Sequence, residues 1–106
     1  MKIDLSIIII NYNTSKLTFD CVKSIYLQTP KNINFEVIVV DNASNYEDYE
    51  KLKVQIEAEN LQNTILFRSK INGGFASGNM LGVQFAKGEF LAFINNDVVL
   101  IEDSFS

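Results

Sequence analysis

Residues 7–10 are four consecutive isoleucines, set within the longer apolar run Leu5–Ile10. β-Branched side chains are stiff at χ1 and suit a pleated backbone better than a helix. A strand with one wet face alternates apolar and polar residues, whereas a strand buried on both faces is continuous. The isoleucine run therefore predicts an interior strand of a parallel sheet covered by helices on both sides. Phe35–Val40 repeats the pattern, and shorter runs at Thr64–Phe67 and Phe90–Ile94 complete a set of four.

Between these runs lie three segments at helical spacing. Leu17, Cys21 and Ile25, with Val22 alongside, form one apolar stripe, and Thr14 or Ser15 is the expected N-cap. Asn45-Tyr46-Glu47-Asp48 places an asparagine before acids in a first turn, and the segment 47–59 carries Leu52 and Ile56 on one side. A third helix is expected over 75–87, with Met80, Val83, Phe85 and Ala86 apolar and Gly88 as its stop. The order β-α-β-α-β-α-β predicts an α/β fold: three layers around an open, mainly parallel, Rossmann-like sheet, joined by right-handed crossovers. One domain spanning 1–106 is expected. Val98–Ile101 is followed by Glu102-Asp103-Ser104, which reads as the start of another helix, so the chain reads as truncated. In this topology the fourth strand lies on an open edge, a route to pairing or oligomerisation.

The charge and residue inventory excludes several function classes. The net charge is −4, and the nine lysines and arginines are scattered rather than gathered into a basic stripe, which argues against nucleic acid as a partner. No apolar run approaches the roughly 18–20 residues of a membrane span, and Ile7–Ile10 is too short for a signal-peptide core, so the expected location is cytoplasmic, at most peripheral to the inner membrane face. The single cysteine, Cys21, has no internal disulfide partner and sits on the apolar stripe, where it reads as helix core rather than as a nucleophile. The chain contains no histidine, which removes Ser-His and Cys-His nucleophile systems and all histidine-ligated metal sites. A metal, if bound, takes oxygen ligands, which points to Mg²⁺ or Mn²⁺.

In open α/β sheets ligands bind at the carboxyl ends of the strands. Each of the four ends here is polar: Asn11-Tyr12-Asn13-Thr14, Asp41-Asn42-Ala43-Ser44, Arg68-Ser69-Lys70-Ile71-Asn72-Gly73-Gly74 and Asn95-Asn96-Asp97. Asn42 and Ser44 alone are ordinary turn residues. Asp41 suits either a cap on the next helix or a ligand contact. Gly73-Gly74 allows a tight turn, and also a close approach of backbone to a phosphate at the following helix N-terminus. Asp97 is the sharper case, because it stands between the apolar runs 90–94 and 98–101. A carboxylate so placed is costly unless paired or metal-bound. Arg68 or Lys70 could pair with it; a hard cation bridging a diphosphate is the other reading.

Four motifs in order resemble the family 2 glycosyltransferases, inverting enzymes with a nucleotide-diphosphosugar-binding fold of the GT-A type, and most closely the rhamnosyltransferase-like and polysaccharide-synthesising members. They are Ile7-Ile8-Ile9-Ile10-Asn11-Tyr12-Asn13, Val37-Ile38-Val39-Val40-Asp41-Asn42-Ala43-Ser44, Asn72-Gly73-Gly74-Phe75-Ala76-Ser77-Gly78-Asn79 and Phe93-Ile94-Asn95-Asn96-Asp97, and the likeness runs from Leu5 to about Asp103. The resemblance implies an N-terminal donor-binding subdomain for a UDP- or dTDP-sugar, with Asn11, Asn13, Asp41, Asn42, Asn72, Gly74, Asn95 and Asn96 at the nucleotide and Asp97 at a Mn²⁺ or Mg²⁺ ion. Asp41 would accept the imide N–H of uracil or thymine, which selects those bases over cytosine. Asp97, through the ion, would help neutralise the departing diphosphate. Arg68 and Lys70 become candidates to face that diphosphate.

The implied reaction is inverting hexosyl transfer to a saccharide or lipid-linked saccharide acceptor in polysaccharide or cell-surface glycan synthesis. Two departures stand out: Met80 where the family often has asparagine, and Asn95 where the metal motif often has a first aspartate. The general base and acceptor half of such enzymes lie beyond Ser106, so this chain alone is expected to bind donor without efficient transfer. A receiver-type signalling domain would need an acidic pair after the first strand, where Asn11 and Asn13 stand. A dinucleotide-dependent dehydrogenase and a sugar-phosphate nucleotidyltransferase would each need glycines there. A non-catalytic signalling or partner-binding α/β domain is the alternative reading.

Overall fold

A computed structural model of the 106-residue chain describes residues 2–69 and 75–96. The elements are β1 (Leu5–Asn11), α1 (Ser15–Gln28), β2 (Phe35–Asn42), α2 (Tyr46–Ala58), β3 (Thr64–Ser69), α3 (Phe75–Phe85) and β4 (Phe90–Phe93). All strand pairs are parallel, in the order β3-β2-β1-β4. The expected α/β architecture and element order are both present.

The two isoleucine- and valine-rich strands occupy the centre, as their unbroken apolar runs require. Odd and even residues serve different layers. Ile7, Ile9, Val37 and Val39 pack with Cys21, Val22 and Ile25 of α1 and Leu52 and Ile56 of α2. Ile8, Ile38 and Val40 turn the other way, against Leu81, Val83 and Ala86 at α3 and its exit. Each of the fully buried isoleucines is worth about 1.5–3 kcal/mol of transfer free energy, so this double-sided strand pair dominates the core. The sheet order explains the layering. The chain steps from β1 to β2 to β3 in one direction, then returns past β1 to reach β4. Right-handed crossovers in opposite directions leave their helices on opposite faces.

Local details follow from sequence. α1 stops at Thr29, whose backbone is extended (φ −77°, ψ 131°), because Pro30 disfavours helical geometry in the residue before it. Its inward stripe is Thr18, Cys21, Val22 and Ile25, while Leu17 is 46% exposed. The expected stripe was thus misplaced at its start: Thr18, not Leu17, faces the sheet. Cys21 is fully buried core, as expected. Thr14 and Asn45 occupy the N-cap positions of α1 and α2, yet neither side chain makes the capping hydrogen bond. α3 ends at Phe85, two residues short of expectation, with Met80 exposed. Among the described residues β3 and β4 form the two edges of the sheet, and Phe90 and Phe93 on β4 are exposed.

A buried carboxylate closes the opposite end of the sheet. Glu36 Oε2 accepts the Ser6 hydroxyl (2.6 Å) and the Lys87 backbone N–H (2.7 Å), and Ser6 Oγ accepts the Gly88 N–H (2.7 Å). The segment leaving α3 is thereby fixed against β1 before β4 begins.

Candidate functional site

Strand register assembles the site. The parallel ladders place Asn11 beside Asp41, and Asp41 beside Arg68, in one row across the carboxyl ends of β1, β2 and β3. Asn11 Nδ2 donates to Asp41 Oδ1 (2.8 Å) and to Asp48 Oδ2 (3.0 Å), with Ser44 Oγ at 3.3 Å. Asp41 Oδ2 accepts the Ser44 backbone N–H (3.2 Å) and Arg68 Nη1 (3.2 Å), and Arg68 Nη2 donates to the Ser44 carbonyl (2.9 Å). A fully buried carboxylate is tolerated only when paired and saturated with donors, and Asp41, at 0% exposure, has three.

Arg68 forms the roof of this row. Its guanidinium carbon lies 4.8 Å from the Tyr49 ring centre and 5.9 Å from that of Tyr46. Sequence reasoning offered Asp97 or a diphosphate as its partner; Asp97 lies outside the described residues, and among those described Arg68 pairs with Asp41, because β2–β3 register sets the two side by side. Asp41 caps the turn before α2 through the Ser44 N–H, and it stands at a strand end.

The turns after β1 and β2 interlock. Asn13 and Ala43 both adopt left-handed backbone (φ 55° and 60°). The Asn13 N–H donates to Ser44 Oγ (2.9 Å), and Asn13 Oδ1 accepts the Asn45 N–H (2.7 Å). Asp48, in the first turn of α2, accepts the Ser15 N–H at the start of α1 (3.0 Å), so α1 is capped from a neighbouring helix rather than by its own Thr14. Burial pushes the Asp48 carboxyl up, but the Asn11 amide, the Ser15 N–H and hydroxyl and the Lys51 charge outweigh it and hold the group below the ordinary aspartate value. Asn42 is buried beside Asp41, and Tyr12, next to Asn11 in the chain, is half exposed.

The turn after β4 approaches from the far side of β1. Asn96 Nδ2 donates to Thr14 Oγ1 (2.5 Å) and Thr18 Oγ1 (3.1 Å), and the Thr18 hydroxyl donates to Asn11 Oδ1 (2.7 Å). The Asn95 carbonyl lies 3.9 Å from Cys21 Sγ. Asn72, Gly74 and Asp97 lie outside the described residues. Of the expected site residues, then, Asn11, Asp41, Asn13 and Asn96 are joined by hydrogen bonds, directly or through Ser44, Thr14 and Thr18. Asn42 is buried at the end of β2, and Asn95 meets Cys21 through its carbonyl. Sequence reasoning missed Thr18 and Asp48 and left Ser44 as a turn residue. Among the described residues no three His, Cys, Asp or Glu side chains are gathered into a metal cage. A groove of about 680 Å³ between α1 and α2 includes Ser15 and Glu47 but none of the strand-end residues.

The comparisons with known proteins agree with this geometry. Residues 6–106 match the model of "Glycosyl transferase family 2". The minor teichoic acid biosynthesis protein GgaB of Bacillus subtilis is 28% identical over 102 residues, which cover 96% of this chain and 11% of that protein. The structure of S. aureus TarS 1–349 in complex with UDP-GlcNAc superposes with a TM-score of 0.74 at 29% identity, covering 90% of this chain and 27% of that one. GalNAc-T7 with UDP, GalNAc and Mn²⁺ gives a TM-score of 0.80 at 26% identity, covering 94% and 19%. The chain spans a third or less of the length of the curated relatives it matches. With the sheet order, the polar strand ends and the match over 6–106 in agreement, the chain belongs to glycosyl transferase family 2, on a GT-A-type fold.

Proposed function

We propose that this chain binds the nucleotide-diphosphate part of a UDP- or dTDP-sugar, with a divalent cation, for inverting glycosyl transfer to a saccharide acceptor in cell-surface polysaccharide synthesis. The observation that carries this reading is the row Asn11–Asp41–Arg68 joined across β1 to the Asn95-Asn96 turn. A nucleotide diphosphate needs a base-recognising group and a charge-neutralising group set a ribose apart, and such a row supplies the frame. Asp41 is the base-recognising group. Arg68 covers it, so an incoming uracil reaches the carboxylate by displacing a guanidinium that retains the faces of Tyr46 and Tyr49. Tyr12, exposed beside Asn11, offers its ring to the base.

The turn before Asp97 is anchored through Asn96 to Thr14 and Thr18, and carboxylate oxygen is the ligand class that Mg²⁺ and Mn²⁺ take. Asp97, next in the chain, is the carboxylate that would hold the ion together with diphosphate oxygens. When bound, the ion supplies electrostatic stabilisation of the leaving diphosphate. GalNAc-T7 with UDP and Mn²⁺ and TarS with UDP-GlcNAc support the donor class; GgaB, a teichoic acid biosynthesis protein, supports the polymer class. Among the described residues none is assigned to acceptor binding or to the general base, and the proposed setting is the cytoplasmic side of the membrane.

Calorimetric titration with UDP, dTDP and CDP, each with and without Mn²⁺, tests the reading. UDP and dTDP should bind more tightly than CDP, Mn²⁺ should strengthen both, and Asp97→Ala should remove the metal effect. Absence of UDP and dTDP binding at millimolar concentration with Mn²⁺ present refutes it.

A further inference from the structure

We propose that Thr18 and Asn96 are positioning residues that tie the turn before Asp97 to the Asn11–Asp41 pair, so that the metal end and the base end of the donor site share one hydrogen-bonded frame. The inference rests on the donor-site reading above and deepens it.

Thr18 is fully buried on the inner stripe of α1, among Cys21, Val22 and Ile25. A hydroxyl in such a place is unfavourable unless both its donor and its acceptor capacity are used. Here both are: the O–H donates to Asn11 Oδ1 at 2.7 Å, and the oxygen accepts from Asn96 Nδ2 at 3.1 Å. The second Asn96 N–H reaches Thr14 Oγ1 at 2.5 Å. Thr14 itself lies 3.4 Å from Asn11 Oδ1, so both threonines stand between the two asparagines.

This arrangement fixes the amide of Asn11. With its oxygen facing Thr18, its nitrogen faces Asp41 at 2.8 Å and Asp48 at 3.0 Å. A flipped Asn11 would set its oxygen against two carboxylates and its N–H₂ against the threonine hydroxyl. The donors therefore run in one direction, from Asn96 to Thr18 to Asn11 to Asp41, and end on a carboxylate. Bonds in such a chain polarise one another. The same chain spans β1, from the β4 side to the β2 side. An apolar residue at 18 would pack as well but would leave the Asn96 turn and Asn11 joined only by the longer 3.4 Å contact through Thr14.

The test uses this chain, Thr18→Val, Thr18→Ser, Asn96→Ala and the double variant Thr18→Val/Asn96→Ala. Calorimetry measures uridine affinity, which reports the base end alone, and the factor by which Mn²⁺ strengthens UDP binding, which reports the coupling of the two ends. Asn96→Ala is expected to lower the Mn²⁺ factor about fivefold, the low end of ordinary site-to-site coupling. Thr18→Val is expected to lower both quantities, and Thr18→Ser to restore both. The double variant should lose little more than Thr18→Val alone, because both substitutions break one chain.

A Mn²⁺ factor unchanged in Asn96→Ala, a failure of Thr18→Ser to restore it, or additive losses in the double variant overturns the inference. The side-chain amide NMR signals of Asn11 and Asn96 in the ligand-free protein give an independent readout. Thr18→Val must shift both, and stationary signals overturn the shared frame whether or not nucleotide binds. UDP binding absent from the unsubstituted chain, with the amide shifts present, sinks the donor-site reading and leaves the frame as a structural link only.

Discussion

Replacing Asp41 by asparagine changes one atom's chemistry at the most heavily bonded side chain of the site. Asp41 accepts on both oxygens: Asn11 on Oδ1, and Ser44 N–H with Arg68 on Oδ2. An asparagine here has one accepting oxygen and must turn its N–H₂ toward a donor. The less costly orientation keeps Ser44 and Arg68 and faces the new amide nitrogen at Asn11 Nδ2, which retains Asp48 as an acceptor. One hydrogen bond to a charged acceptor is lost, worth about 1.5–3 kcal/mol. The ion pair with Arg68 is weakened as well. Because the arginine side chain is 30% exposed, solvent screening holds that part to about 1 kcal/mol or less. The sum is about 1.5–4 kcal/mol of stability, large beside a typical domain total of about 5–15 kcal/mol. Urea denaturation at pH 7, followed by circular dichroism, measures it. A cycle with Arg68→Met isolates the ion pair, whose coupling should be about 1 kcal/mol or less. A cost for Asp41→Asn below about 0.5 kcal/mol would refute the reasoning, since it would mean that the carboxylate's three donors are equally well served by water.

Gly88→Ala should destabilise by about 1–3 kcal/mol, because the added Cβ would meet backbone of β1, 2.5 Å from Ser6 N and 2.8 Å from the Leu5 carbonyl carbon; an unchanged melting temperature contradicts the close approach. Ala43→Gly should stabilise by up to about 1 kcal/mol, since left-handed backbone at φ 60° costs an L-residue about 1–2 kcal/mol and glycine's extra chain entropy offsets only part of it; a fall in melting temperature would count against this. The folded-state pKa of Asp48 is depressed, so its contribution to stability is present above the ordinary carboxylate value near 4 and is lost as pH falls through the lower folded value. The stability gap between the unsubstituted chain and Asp48→Asn should therefore narrow as pH falls from about 5 to 2 in urea titrations, and a gap that is constant with pH would exclude a depressed pKa.

The fold was legible because its strongest signals are local. Four successive isoleucines admit few environments, and the observed layers use them as their continuity demands, Ile7 and Ile9 toward α1 and α2, Ile8 toward α3. Pro30 marks the end of α1 by excluding helical geometry at Thr29. Misreadings occurred where spacing alone could not select among neighbours. Leu17 and Thr18 are adjacent, and hydrophobicity favours the leucine for the core. The buried acceptor on Asn11 reverses that preference, because Thr18 has a partner for its hydroxyl and Leu17 lies one position too far round the helix. The caps misled for a related reason. Thr14 is the residue type that caps a helix by itself, but its oxygen accepts from Asn96 instead, while Asp48 on α2 takes the Ser15 N–H at the first helical position.

The site was legible as a list of strand ends but not as a circuit. Asn11, Asp41, Asn95 and Asn96 could be chosen because ligands gather at the carboxyl ends of a parallel sheet. Which of them touch depends on register, and a parallel pair of continuous apolar strands carries no alternation to reveal its register. One residue of slip between β1 and β2 would separate Asn11 from Asp41 and set Asn11 against Asn42 or Val40. The pairing found, Asn11 to Asp41 to Arg68, saturates the buried carboxylate and satisfies both ends of the Asn11 amide. The polar row thus contributes what the isoleucines cannot: it penalises every register but one. The groups read as binding a donor also fix the alignment of the sheet that carries them, so substitutions at Asn11 or Asp41 should lower stability and nucleotide affinity together, whereas Asn96→Ala, at the end of the chain of bonds, should separate the two.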